Sequence, residues 1–341
     1  MRNRMLAVVL GAMLCLPAMA QQAPEAAQAA PADGIRTVET VVVEGDQPGP
    51  GLWLVRSPDG QHDLYILGTV SPLPAKMQWQ SARVERVLAQ AQEVIRMRGV
   101  QLNADVGFFR GLLLMPKLLG ARNNPDGRRL QQVVSPASYA RWQALKAEYI
   151  GHDGGVEKRR PLFAAQELYK EAMKRSGLDT HDLVWPVVAK SIEAHHPQVT
   201  VVKQVIEVKD PKSLLKEFSK TTLDDLACFD NTMRLIETDL GAMRARANAW
   251  ATGDMAALQA LPPPHQWEAC NEAITEAGIG KRLGYGDARQ QVRARWMAAA
   301  EAALAKNTVS FATLSLGEML GDDGYLAMLK AKGYTVLAPD E

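Results

Sequence analysis

The sequence predicts an α/β fold: a mixed β-sheet flanked by helices, with a long helical insertion between an N-terminal and a C-terminal β-α-β part. Three observations carry this. Near the start, "LWLVRSPDGQHDLYILGT" reads as two strands joined by a turn at Pro58-Asp59-Gly60, followed by a helical pattern and the strand "EVIRM". Near the end, the strand "VSFATLSL", the helix "YLAMLKAKG" and the strand "YTVLA" repeat the alternation. Between these parts, over residues 105–300, nearly every segment has helical spacing.

The first twenty residues, "MRNRMLAVVLGAMLCLPAMA", read as an export signal. Arg2 and Arg4 form a positive n-region, Met5 to Leu16 an apolar run, and Ala18-Met19-Ala20 a small-residue cleavage pattern. The apolar run is well short of the ~20 residues that a spanning helix needs. Cys15 lies inside it, with no small residue before it to make a lipid-attachment site. The expected location is therefore periplasmic or secreted, with no transmembrane segment after cleavage. Residues 21–35, rich in Ala, Gln and Pro, read as a disordered tether, and residues 36–341 as a single domain opening on the strand-like "TVETVVVEG".

Further along, Val84, Val87, Leu88 and Ala91 recur at helical spacing within Ser81 to Gln92. That helix joins two strands and leaves Gly68 to Pro74 at the carboxyl end of the first, where α/β proteins place functional groups. "VGFFRGLLLMPKLL" reads as an amphipathic helix. Ser135-Pro136 supplies a cap and a first-turn proline for a helix running to about Tyr149. "PLFAAQELYKEAMKRSG" ends on Gly177, a C-terminal glycine. "HDLVWPVVAKSIEAHH" is helical, "QVTVVKQVIEV" is one strand inside the helical range, and Asp210 to Gly253 is helical up to the stop at "LPPP". A last long helix, "DARQQVRARWMAAAEAALAKN", leads into the final strand pair.

Composition narrows the function classes. With 47% hydrophobic and 23% charged residues the chain is an ordinary globular one. The 39 Lys and Arg nearly balance the 38 Asp and Glu, which leaves no overall basic excess for nucleic acid or an acidic membrane face, so polyanion partners are not expected from the net charge. Familiar catalytic signatures are missing: there is no GxSxG elbow and no HExxH, and the six histidines show no metal-ligand spacing. "GYGDAR" lacks the preceding strand of a phosphate loop, and "GDDG" reads as a turn. Once the signal is removed, Cys228 and Cys270 remain, an even pair that in an oxidising compartment is a candidate structural disulfide; the alternative is two separate buried thiols.

The two ends of the chain resemble the TraB/GumN family. The resemblance rests on Trp53, on Leu-Gly-Thr at Leu67 to Thr69, on Trp250 with Gly253-Asp254 in "ANAWATGDMAAL", and on the run from Gly321 to Gly333-Tyr334. That family is similar to the Tiki metalloproteases. The resemblance implies three metal ligands at strand ends: a His in Gly-Thr-x-His, an acid ending the next strand, and a His in a late Gly-x-x-His. Such a set holds a divalent ion that activates water. In this sequence the three positions are Ser71, Met97 (or Arg96, one residue earlier) and Glu318, and Ser315 replaces the glycine of the late motif. A hydroxyl and a thioether are weak ligands for Zn²⁺ or Mn²⁺, so no metal and no other cofactor is expected. The favoured reading is an inactive, binding or scaffolding relative with an unidentified protein or small-molecule partner. A hydrolase using Ser71 as nucleophile or Glu318 as base is the second reading, and a metalloprotease with ligands elsewhere, for example His62 or His265, the third.

Overall fold

A computed structural model describes residues 49–104, 106, 108–261 and 266–339. The signal expected at 1–20, the tether expected at 21–35, the strand expected at 37–45, the three prolines of "LPPP" and His265 lie outside the described residues.

β1 (Leu52–Arg56) and β2 (Asp63–Thr69) form the antiparallel hairpin that the Pro58-Asp59-Gly60 turn predicts. Asp59 closes the turn by accepting from Ser57 Oγ and from the Gln61 N–H. After the short β3 (Leu73–Pro74) come α1 (Ala82–Leu88), β4 (Glu93–Asn103) and α2 (Phe108–Gly120). α3 (Pro136–Tyr149) starts on Ser135, whose hydroxyl accepts the Ser138 N–H at 3.0 Å, and α4 (Pro161–Arg175) ends before Gly177 at φ +69°. β5 (Leu178–Asp179), α5 (Trp185–His195) and β6 (Gln198–Glu207) follow.

The longest helical stretch comprises α6 (Pro211–Lys220), α7 (Leu226–Thr238), α8 (Leu240–Thr252), α9 (Met255–Ala260), α10 (Gln266–Thr275), α11 (Gly278–Arg282) and α12 (Tyr285–Lys306). The chain closes with β7 (Val309–Ser315), α13 (Leu316–Met319), α14 (Tyr325–Ala331) and β8 (Thr335–Leu337).

The main sheet has the order β6-β4-β7-β2-β1-β8. β6, β4, β7 and β2 are mutually parallel, and β1 runs antiparallel to both β2 and β8. This is the predicted mixed sheet, with its two β-α-β parts interleaved: β7, from the C-terminal part, lies between β2 and β4 of the N-terminal part. β4 runs six residues past the expected "EVIRM" because β6 pairs along it to Asn103, with a register shift between Met97 and Gly99. β6 interrupts the helical range and becomes one edge of the sheet. A two-residue ribbon of β3 with β5 has no sequence signal long enough to show.

Period-two alternation sorts the strands onto two faces. Val55, Leu64, Ile66 and Ile95 pack against Val292, Trp296, Ala300 and Leu304 of α12 and against α14. Leu52, Leu67 and Val94 on the other face pack against α1, α5 and Trp250 of α8. A separate cluster, with Trp142 of α3, Leu168 of α4 and Phe229 of α7, forms the core of the helical layer. In a further cluster with Leu162, Leu223 and Ile279, Cys228 on α7 and Cys270 on α10 are joined by a disulfide across a sequence separation of 42 residues, both cysteines being buried. No helix among the described residues is long and apolar enough to cross a membrane.

Candidate functional site

Because β7 sits between β2 and β4, the carboxyl ends of β2 and β7 open beside the point in β4 where its pairing with β7 stops, at the end of the sheet where open α/β sheets bind ligands. A cleft of about 250 Å³ lies there, lined among others by Thr69, Ser71, Met97, His181, Trp185 and Ser315. Its hydroxyls come from the strand ends and its aromatic wall from the start of α5.

The backbone at this edge is held by the residues that make the sequence recognisable. A Cβ on Gly68 would lie 2.4 Å from Leu316 Cδ2 and 2.9 Å from Met319 Cε, so glycine here lets α13 close over the end of β2 without displacing those side chains. Trp250 Nε1 donates to the Gly68 carbonyl at 2.7 Å in a buried contact, and Thr69 Oγ1 donates to the Leu314 carbonyl at 3.2 Å. Gly253 ends α8 at φ +70°, with its α-carbon close against the Gly49 carbonyl, and Asp254 caps α9 through the Ala257 N–H. These landmarks are structural: they fix where the strand ends stand.

The positions singled out from the sequence are only partly brought together. Ser71 and Met97 both line the cleft, and Ser315 joins them from the end of β7. Met97, not Arg96, faces the opening. The Arg96 guanidinium instead stacks on Trp185, its carbon 3.4 Å from the ring centroid, and burial followed by repulsion from Arg98 holds its pKa below the ordinary arginine value. Glu318 is held back on α13. Ser315 Oγ accepts the Glu318 N–H at 3.3 Å and donates to the Glu318 carboxylate at 3.0 Å, so "SLGE" works as a helix start.

The segment 180–185 also lines the cleft, and its role there was not read from the sequence. The ribbon places it: Leu73 faces Asp179, so Ser71 and His181, each two residues beyond that pair, emerge at the same end. His181 Nδ1 lies 2.5 Å from Asp179 Oδ1, and the His181 backbone N–H followed by its ring holds the Asp179 carboxyl below the usual range. Asp182 accepts the N–H groups of Val184 and Trp185 and so opens α5. "LDTHDLVW" does announce a capped helix start with a His–Asp neighbourhood. Nothing local says which strand end it will face.

The donor set does not fit a catalytic divalent metal. Ser71 offers a neutral hydroxyl and Met97 a thioether, while Glu318 is engaged with Ser315. Among the described residues, no three His, Cys, Asp or Glu side chains are grouped to hold a metal ion. His62 stands at the opposite, amino end of β2, its Nδ1 donating to the Asn307 carbonyl at 2.9 Å.

No curated protein and no solved structure matches the chain. One family description does match, that of the TraB/PrgY/gumN family, over residues 51–338, from the residue before β1 to the one after β8. That span takes in both β-α-β parts, the helical layer and the cleft, and the chain belongs to the TraB/PrgY/gumN family.

Proposed function

We propose that this family member acts as an exported binding or scaffolding module and carries out no metal-dependent hydrolysis. The observation that supports the reading is the chemistry at the three family positions Ser71, Met97 and Glu318: a hydroxyl, a thioether and a carboxylate already engaged by Ser315. The cleft keeps its shape through Gly68, Trp250 and Thr69, and its hydroxyls, its imidazole and the Trp185 face suit a small polar ligand or an extended peptide. Elemental analysis of the protein purified from its native host tests the reading, together with the mass of the chain, which should begin at Gln21. The expected result is no stoichiometric transition metal. One equivalent of tightly held Zn²⁺ or Mn²⁺ refutes the reading. In calorimetry, the triple variant S71H/M97E/E318H should gain only weak Mn²⁺ or Zn²⁺ binding, because residue 318 stands outside the cleft lining and no supporting second layer of bonds is in place.

A second reading draws on one observation, the His181–Asp179 pair at the end of the ribbon that also carries Ser71. In an esterase-like reaction Ser71 Oγ would attack the ester carbonyl, His181 Nε2 would take its proton and give it to the departing alkoxide as the ester C–O bond breaks, Asp179 would hold the ring, and water would then release the acid from Ser71. Labelling by a fluorophosphonate, lost in both Ser71→Ala and His181→Ala, is the result that selects this reading over the binding module. An unlabelled wild type removes it.

A further inference from the structure

On the far side of the β4 bulge from the cleft, the surface has a different character. α2 exposes Leu112 at 62%, Leu113 at 76%, Met115 at 46%, Leu118 at 42% and Leu119 at 55%. Six residues before α2 in the chain, Leu102 near the end of β4 is 57% exposed. Scattered single apolar residues are normal on a surface, but five on one helix are a patch that calls for a covering partner. We propose that α2, with α6 beside it, docks on a lipid bilayer that carries anionic headgroups.

The charge around the patch identifies the partner. From Val106 to Asn124 the sequence holds Arg110, Lys117 and Arg122 and no acid, and Lys117 and Arg122 are exposed. α6 packs against α2 and adds the exposed Lys212, Lys216 and Lys220. Of the acids nearby, Glu207 accepts from Asn103 Nδ2, Asp210 caps α6 through the Ser213 N–H, and Glu217 pairs with Arg282, while Asp126 past the end of α2 is exposed. Among the described residues, what faces outward is apolar surface with cations in excess around it. An anionic bilayer offers both complements at once, hydrocarbon for the leucines and phosphates for the lysines. A second copy of this chain on a two-fold axis would instead set the same lysines against each other. With 13 residues, α2 spans about 20 Å against a hydrocarbon core of about 30 Å, so it lies along the interface and does not cross it.

The test uses the full chain and sedimentation with vesicles of phosphatidylcholine containing 30% phosphatidylglycerol, against phosphatidylcholine alone. The wild type should bind the anionic vesicles at least tenfold better than Leu112→Glu/Leu113→Glu, and half a molar salt should remove most of that difference. A thermal melt matched between the two proteins shows that the variant is folded. Leu113→Cys in a Cys15→Ser background, labelled with a polarity-sensitive dye, should shift its emission to the blue on the anionic vesicles. That readout separates docking through α2 from docking through the apolar run Met5 to Leu16. Vesicle binding without a shift at position 113 overturns the proposal, as does equal binding by wild type and double variant. A dimer abolished by the double variant, without vesicle binding by the wild type, overturns it in favour of self-association.

Discussion

The sheet and the helical layer of α3, α4, α7 and α10 both enclose apolar cores, yet they bury their polar groups differently. The core between the sheet and α12 is apolar almost throughout, and its polar cluster of Glu93, Asn307, Ser310 and Thr200 is gathered at the amino ends of the strands. The helical layer buries charge of both signs. Arg160, 2% exposed, donates to the carbonyls of Asn123, Phe218 and Thr221, and Asp225 accepts the Leu162 N–H at 2.8 Å. Burial lowers the Arg160 pKa and raises that of Asp225. Glu157 meets Lys146, Trp142 and Gln143; burial pushes its carboxyl up, and those bonds outweigh burial and hold it below the usual range.

The physical reason lies in the backbone. A strand satisfies its hydrogen bonds on its neighbours, so the ladder itself sets the register between strands. A helix satisfies them internally, so nothing in its backbone fixes its place beside another helix. In the helical layer that placement falls to buried charge and to the disulfide. The sheet, aligned by its ladder and by Gly68 and Trp250, can leave its carboxyl end open as a cleft.

Removing the disulfide gives the largest expected effect. The Cys228→Ser/Cys270→Ser chain should lose up to about 4 kcal/mol on the chain-entropy account of a closed loop this long. Amide exchange should speed up in α7 and α10 and hardly change in β2, β4 and β7. Equal loss of protection in the sheet would break the contrast between the two regions.

Gly68→Ala is the converse experiment. Its new methyl meets Leu316 and Met319, and overpacking of this kind costs about 1–3 kcal/mol. Exchange should then rise around α13 and the end of β2 with α7 and α10 unaffected, and ligand or probe binding in the cleft should fall. A variant as stable as the wild type, with the cleft unchanged, would show that the close approach is not needed.

The smallest effect, absent at neutral pH, sharpens the comparison from both sides. Burial pushes the Tyr169 phenol in the helical layer up to about 12, and burial with the nearby Glu318 charge does the same for Tyr325 on the sheet side. An unfolded tyrosine titrates at about 10. Below that pH both states keep the proton and stability is complete; between about 10 and 12 only the unfolded state releases it, so stability falls as pH rises. Urea unfolding at pH 9 and pH 11 should show this decline, reduced in Tyr169→Phe and in Tyr325→Phe alike. A flat profile in the wild type would contradict the burial of both rings.

Local chemistry was enough for most of the elements. The Pro58-Asp59-Gly60 hairpin, the start of α3 at Ser135-Pro136 and the stop of α4 at Gly177 depend on capping and turn preferences within a few residues, and such preferences are written in consecutive letters. The placement of Ser71 just past the end of β2 was legible for the same reason, with family resemblance supplying its significance; Met97, expected to end its strand, instead lies inside β4 at the bulge. The pairing of Cys228 with Cys270 was legible as a possibility because only two cysteines lie after the first twenty residues. Tertiary structure decided the rest. β7 enters between β2 and β4 from more than two hundred residues away, and β6 becomes an edge; strand order follows from which faces the helices cover, which no local period encodes. His181 reaches the cleft through the ribbon of β3 with β5, and Glu318 turns to Ser315, because what a side chain does depends on the neighbours that folding brings to it.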